Sequence, residues 1–230
     1  MKIKLLFISA LAVGATSLSA ASSNYSITMD FPYVSDYVFR GVKYADDSIQ
    51  PSIEFGADNF YAGIWSNQPV TGRTTNEFDF YAGYKFDLTD TWSMDVGATY
   101  YYYPETSSLD EQFEPYVGLT GDLLPGLTST FYAYYETEFE ALTLQGSLGY
   151  GFELSNTLTL NLAGNLGSVS ASGAGDYTYW LLSATVDAKL NDHANAYLGV
   201  SYSSNDMDRA PANSLGGEYT YLTTGISIGF

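Results

Sequence analysis

The 230 residues carry 26 acidic side chains against eight Lys and Arg, a net charge of −18, and no cysteine. That balance excludes nucleic acid as a partner, because phosphate neutralisation needs clustered basic side chains, and the missing thiols exclude a disulfide framework, a thiolate metal site and a cysteine nucleophile. With 22 Tyr, 13 Phe and 22 Gly at a mean hydropathy of −0.06, the apolar residues must be dispersed along a folded chain.

In chain order, the first segment is MKIKLLFISALAVGATSLSAA, with Lys2 and Lys4, a short apolar run, then small residues. It predicts a signal peptide over residues 1–21, cut after Ala20 or Ala21, and a single domain over 22–230. Loss of Lys2 and Lys4 with that leader takes the net charge from −18 to −20. No later window approaches the roughly 20 apolar residues of a membrane-spanning helix.

From Tyr25 onward the pattern has period two. Glu77 to Asp87 places Phe78, Phe80, Ala82, Tyr84 and Phe86 on one face, with Glu77, Asp79, Tyr81, Lys85 and Asp87 on the other. In the next segment Trp92, Met94, Val96, Ala98 and Tyr100 oppose Asp95, Thr99 and Tyr101; later, Leu158, Leu160, Leu162 and Leu166 oppose Thr159, Asn161 and Asn165. Twelve such segments begin near residues 25, 48, 58, 76, 91, 111, 126, 140, 156, 177, 193 and 217. Short connections (GADN, DLTDT, GDLLPG, ELSNT, LNDH) alternate with longer polar ones (VKYADDS, NQPVTGRTTN, PETSSLD, SASGAGD, NDMDRAPANSLGG). Strands of about 9 to 11 residues with short turns at one end and long loops at the other predict an all-β fold, an antiparallel transmembrane β-barrel of the outer membrane. A soluble sandwich has strands of about five or six residues. Twelve strands is the count; Pro51 and Pro115 each remove a ladder donor inside a proposed strand and leave ten as the alternative. Aromatics near the strand ends, Trp92, Tyr100 to Tyr103, Tyr132, Tyr134, Tyr135, Tyr177, Tyr179 and Trp180, read as interfacial girdles.

The stretch SDYVFRG, Ser35 to Gly41, places charges among aromatics. Read as the end of a first strand running from Tyr25, it puts Ile27, Met29, Phe31, Tyr33, Tyr37 and Phe39 on the lipid face and Thr28, Asp30, Asp36 and Arg40 in the lumen. Asp36 and Arg40 then lie about 13 Å apart, so the partner of Arg40 must come from another strand. SDYVFRG, with Phe60 to Gly63 (FYAG), Trp65, Ser66 and Asn67 downstream, resembles the opening of the TorF family of porin-like outer-membrane proteins, departing from it at Val42 to Ala45. The resemblance implies a porin-like barrel with no assigned substrate. Terminal Phe230 is similar to the C-terminal signal recognised by the barrel assembly machinery.

By parity the lumen receives Asp30, Asp36, Glu54, Glu77, Asp79, Asp87, Asp95, Glu114 and Asp187 against Arg40, Lys85 and Lys189. A negative bore favours cations or neutral and zwitterionic solutes, and disfavours the acidic sugars that need a basic one. Inward Tyr81, Tyr101, Tyr103, Tyr116 and Tyr179 support the alternative, a closed structural barrel acting through its external loops, since twelve strands lie between a filled and an open bore.

Catalysis finds no constellation. His193 falls in a periplasmic turn without a positioned partner; no two carboxylates are fixed at glycosidase spacing. NDMD (Asn205 to Asp208) and ADDS (Ala45 to Ser48) offer too few oxygens for a Ca²⁺ site. The expected protein is a non-enzymatic passive pore without cofactor or metal, in contact with outer-membrane lipid, lipopolysaccharide and small solutes or ions.

Overall fold

A computed structural model describes residues 25–72, 75–106, 111–172, 175–207 and 217–230. The expected signal peptide lies outside them, as does Asp208 of the NDMD loop.

Sixteen strands follow in order: β1 (Tyr25–Asp30), β2 (Tyr33–Val34), β3 (Tyr37–Phe39), β4 (Val42–Ala45), β5 (Ser48–Ile49), β6 (Ser52–Ala57), β7 (Phe60–Pro69), β8 (Glu77–Asp87), β9 (Trp92–Tyr102), β10 (Glu111–Leu124), β11 (Leu127–Glu136), β12 (Ala141–Glu153), β13 (Leu158–Ala171), β14 (Tyr177–Lys189), β15 (Ala194–Asn205) and β16 (Glu218–Gly229). Fourteen of them build twelve staves of one closed antiparallel barrel. β1 with β2 forms the first stave and β5 with β6 the second, both pairing on the same neighbours: β1 and β2 lie beside β16, and β5 and β6 beside β7. β7 to β16 supply the other ten, each pairing with the next. The seam closes through Thr28↔Gly229, Met29↔Ile228 and Asp30↔Ser227. Each stave begins within two residues of its predicted start.

The prolines explain the two broken staves. Pro32 separates β1 from β2 and Pro51 separates β5 from β6, where a residue without an N–H interrupts the ladder. Backbone bonds carry the pairing across: Phe31 N–H donates to Ile226 O at 3.1 Å, Gln50 N–H to Pro32 O at 2.9 Å and Ser66 N–H to Pro51 O at 3.0 Å. Pro115, by contrast, sits inside continuous β10.

Burial is inverted relative to a water-soluble domain. Leu144, Leu148, Leu162, Leu166, Leu182 and Leu198 project outward and are exposed, whereas Glu77, Asp79, Asp95, Glu114, Thr143, Thr185 and Asp187 are buried. β7 to β16 are 10 to 14 residues long, enough for a tilted strand to cross the hydrocarbon layer.

Inward tyrosines lie on inward glycines of the adjacent strand. Tyr61 pairs with Gly83, Tyr81 with Gly63, Tyr116 with Gly97, Tyr132 with Gly118, Tyr179 with Gly167 and Tyr197 with Gly225. In every pair a Cβ on the glycine would collide with the tyrosine ring. The glycines are therefore the floor on which the aromatic lining rests.

Candidate functional site

The segment SDYVFRG leaves the barrel wall. After β2 the chain turns into the lumen as a hairpin, β3 and β4, separate from the barrel sheet. Its register is Tyr37↔Ala45, Val38↔Lys43 and Phe39↔Val42, with Arg40 and Gly41 at the tip. Both tip residues have left-handed backbones, φ 48° and 79°, the requirement of the tight two-residue turns that match strand twist. The expectation of one strand from Tyr25 to Arg40 is corrected here, and so is the lipid-facing placement of Tyr37, which is 3% exposed. The two readings share a parity, apolar at 37 and 39 and charged at 36 and 40, so alternation alone could not separate them. The near-mirror sequence YVF-RG-VKY around an X-Gly pair was the available signal.

The base of the hairpin is fixed by Lys43, which bonds Asp36 and, at 2.7 Å, Asp46. Tyr37 packs on Trp65 and Tyr44, ring centroids 5.6 and 5.7 Å away, in a small apolar cluster with Val34 and Ala45. At the tip, Asn205 Nδ2 donates to Gly41 O at 2.5 Å. A Cβ on Gly41 would lie 2.6 Å from the Cβ of Tyr179.

Arg40 reaches the opposite wall. Its Nη1 and Nη2 donate to Glu114 Oε2 and Oε1 at 2.6 and 2.8 Å, a bidentate pair. Tyr101 OH donates to the same carboxylate at 2.9 Å. The guanidinium carbon lies 4.7 Å from the Phe39 ring centre and 4.6 Å from that of Tyr134, within cation–π range. Side-chain exposure is 10% for Arg40 and 2% for Glu114. The predicted need for a distant partner is thus met by a carboxylate on β10. Above the pair, at the end of the barrel that carries the long connections, lies a cavity of about 400 Å³ whose lining includes Phe39, Arg40, Tyr44, Tyr101, Glu114 and Tyr177.

The other predicted lumen residues form layers. Glu77 accepts from Tyr103 OH at 2.9 Å, and Asp79 is buried between the cross-strand neighbours Trp65 and Tyr101. Asp95 accepts from Tyr61 OH at 2.8 Å and Tyr132 OH at 2.9 Å, and the hydroxyls of Tyr61 and Tyr116 are 2.5 Å apart. Lys85 Nζ lies 5.0 Å from the centre of the Tyr61 ring. Glu54 bonds Tyr81. Asp30 accepts from Tyr197 OH at 2.9 Å, and Asp187 bonds Asn161. Asp36 belongs to the hairpin and not to the wall; Asp87 and Lys189 are exposed at the short-turn end. Tyr132, Tyr134 and Tyr177, expected in the girdles, contribute to the lumen instead: Tyr132 bonds Asp95, Tyr134 faces Arg40 and Tyr177 lines the cavity, while Tyr179, also read as inward, bonds Gln145.

The loop carboxylates have protein partners. Asp206 accepts from Thr178 N and Oγ1 at 2.6 and 2.8 Å, which holds its carboxyl below the usual range; Asp46 is bound to Lys43, and Asp47 bonds Thr71 and Tyr33. Among the described residues no group of three or more acidic or histidine side chains is placed to hold a metal ion. His193 lies in the turn between β14 and β15, its ring stacked on Phe230 at 5.5 Å with Nδ1 3.0 Å from Gly229 O. Phe230 closes the seam, its N–H donating to Ile27 O at 3.0 Å.

A closed twelve-stranded barrel with a polar lumen and an apolar outer face has the architecture of the outer-membrane porins. Its structure is similar to the KdgM porin (TM-score 0.62, 13% identity, 88% of this chain and 99% of that one) and to the NanC porin (0.59, 14%, 88% and 98%). It is also similar to the COG4313 outer membrane channel from Pseudomonas putida F1 (0.55, 10%, 95% and 100%). Identities this low carry the fold alone. The chain belongs to the family described as bacterial protein of unknown function (Gcw_chp), whose model matches residues 18–229. The porin-like barrel implied by the TorF resemblance agrees with these neighbours, whereas the family shown is Gcw_chp. No curated protein matches this sequence.

Proposed function

We propose that this protein is a passive porin-like channel of the outer membrane, constricted by its β3–β4 hairpin, for small cations and neutral or zwitterionic solutes. The observation that carries the reading is the hairpin itself: the polar lumen is narrowed by a segment whose tip is held by the Arg40–Glu114 ion pair. Wall carboxylates at several depths besides the paired Glu114, namely Glu77, Asp79, Asp95, Asp30 and Asp187, supply the negative field that favours cations. One KdgM structure contains disordered oligogalacturonate; here Arg40 is already chelated by Glu114, which argues against an acidic sugar as solute. The apolar belt supports contact with outer-membrane lipid and lipopolysaccharide. The narrower TorF assignment rests on SDYVFRG and FYAG.

The test is planar-bilayer recording of the refolded protein across a KCl gradient, for wild type and Arg40→Gly. Discrete steps with a cation-selective reversal potential, larger in the variant, are the expected result. Silence from both proteins, with folding verified by gel mobility, would overturn the reading in favour of a closed barrel acting through its loops.

A further inference from the structure

Arg40 occupies an uncommon position. In a two-residue turn with positive φ at both places, Asn, Asp or Gly is the favoured first residue, and an arginine there has a backbone the turn does not favour. A strained position points to a role for the side chain it presents, and this side chain fits a receptor on the opposite wall. Glu114 supplies two acceptors spaced for a planar fork, Tyr101 OH fixes that carboxylate, and the Tyr134 ring lies against the guanidinium. Apart from Phe39, which belongs to the hairpin, the receptor is built from the barrel wall, and the cavity of about 400 Å³ above it reaches Arg40 and Glu114 from the outer end.

We propose that the wall around Glu114 is a binding site for guanidinium-class organic cations, occupied by Arg40 while the hairpin is docked. Solutes with the same head group compete for it when the hairpin withdraws. The class follows from three features: the bidentate carboxylate selects a planar fork over a point charge, the ring favours a delocalised cation over a hydrated alkali ion, and the surrounding carboxylates repel anions. Arg40 is then a tethered occupant, and a free guanidinium must overcome its effective concentration. The proposal rests on the hairpin-constricted pore reading but is measured separately from it.

The experiment is chemical rescue with methylguanidinium. Arg40→Gly removes the side chain and leaves a Gly-Gly turn suited to the backbone; Arg40→Asn, giving the favoured Asn-Gly pair, is the second variant should the first fail to fold. In the variant, about 10 mM methylguanidinium is expected to reduce single-channel conductance and to raise the unfolding temperature of the detergent-solubilised protein. Methylammonium should need about tenfold more, as should methylguanidinium acting on wild type, where the site is filled. Adding Glu114→Gln should abolish both responses. Equal potency of methylguanidinium and methylammonium, or responses that survive Glu114→Gln, would overturn the site. A thermal response without any conductance would support the site while removing the pore reading; conductance without either response would do the reverse.

Discussion

Arg40 and Gly41 show how two residues can seat a hairpin inside a barrel. The tip backbone is left-handed at both, and Gly41 also faces the Cβ atoms of Tyr179 and Asn205, 2.6 and 3.0 Å from where its own Cβ would be. Gly41→Ala therefore combines about 1–2 kcal/mol of backbone strain with a contact that the docked hairpin cannot relieve. The expected outcome is a barrel of normal gel mobility whose hairpin is cut by added protease, where wild type resists; equal resistance would mean that the tip tolerates a side chain. The glycine floor gives a second prediction. Gly83→Val places two methyl groups beneath the Tyr61 ring, an overpacking cost of about 1–3 kcal/mol, to be read as a lower urea midpoint in detergent. At this scale the sequence was legible where parity decides, as for Glu77, Asp79, Asp95 and Glu114, all buried inward as read. It misled at Tyr37, because a hairpin and a continued strand share the same alternation over so few residues.

Among the elements, the staves were the easiest to read and the hairpin the hardest. A strand of 10 to 14 residues repeats its signal several times, so each start could be placed closely. A hairpin of three and four residues does not, and its evidence is a turn pair whose first residue is atypical. The breaks at Pro32 and Pro51 belong to the same structure: the two staves that flank the hairpin are the two that lose ladder continuity. Replacing residues 36–46 by a short Gly-Ser connection should leave β1, β2, β5 and β6 paired while removing the constriction. Conductance should rise well beyond that of Arg40→Gly; an unchanged conductance would place the narrowest point lower, at the layer of Asp95, Tyr61 and Tyr132.

As a whole, the molecule turns an apolar face outward and is held together on the inside by hydrogen bonds. Leu182, in the middle of β14, is 57% exposed. Leu182→Arg should cost about 2–4 kcal/mol in a bilayer, while the same change at Leu190, in the turn that follows, should cost about 0–1 kcal/mol. Urea titration in lipid vesicles separates the two, and similar costs would argue that the outer face does not contact hydrocarbon. Fold class and the alternation of short and long connections were readable from composition and period. The shape of the lumen was not, because it depends on which tyrosines fold over which neighbours across strands.

Those tyrosine-on-glycine pairs bear on how the chain counts. In-and-out alternation forbids a slip of one residue between staves, since every side chain would change face, but it is indifferent to a slip of two. Shifted by two, Tyr81 would oppose Tyr61 or Trp65 instead of Gly63, and Tyr132 would oppose Tyr116 or Thr120 instead of Gly118. Each glycine thus acts as a notch that admits its aromatic at a single offset. Stave offset sets the shear of a closed barrel, and with strand number the shear sets its diameter. The calibre of the bore is in this sense written in the positions of Gly63, Gly83, Gly97, Gly118, Gly167 and Gly225.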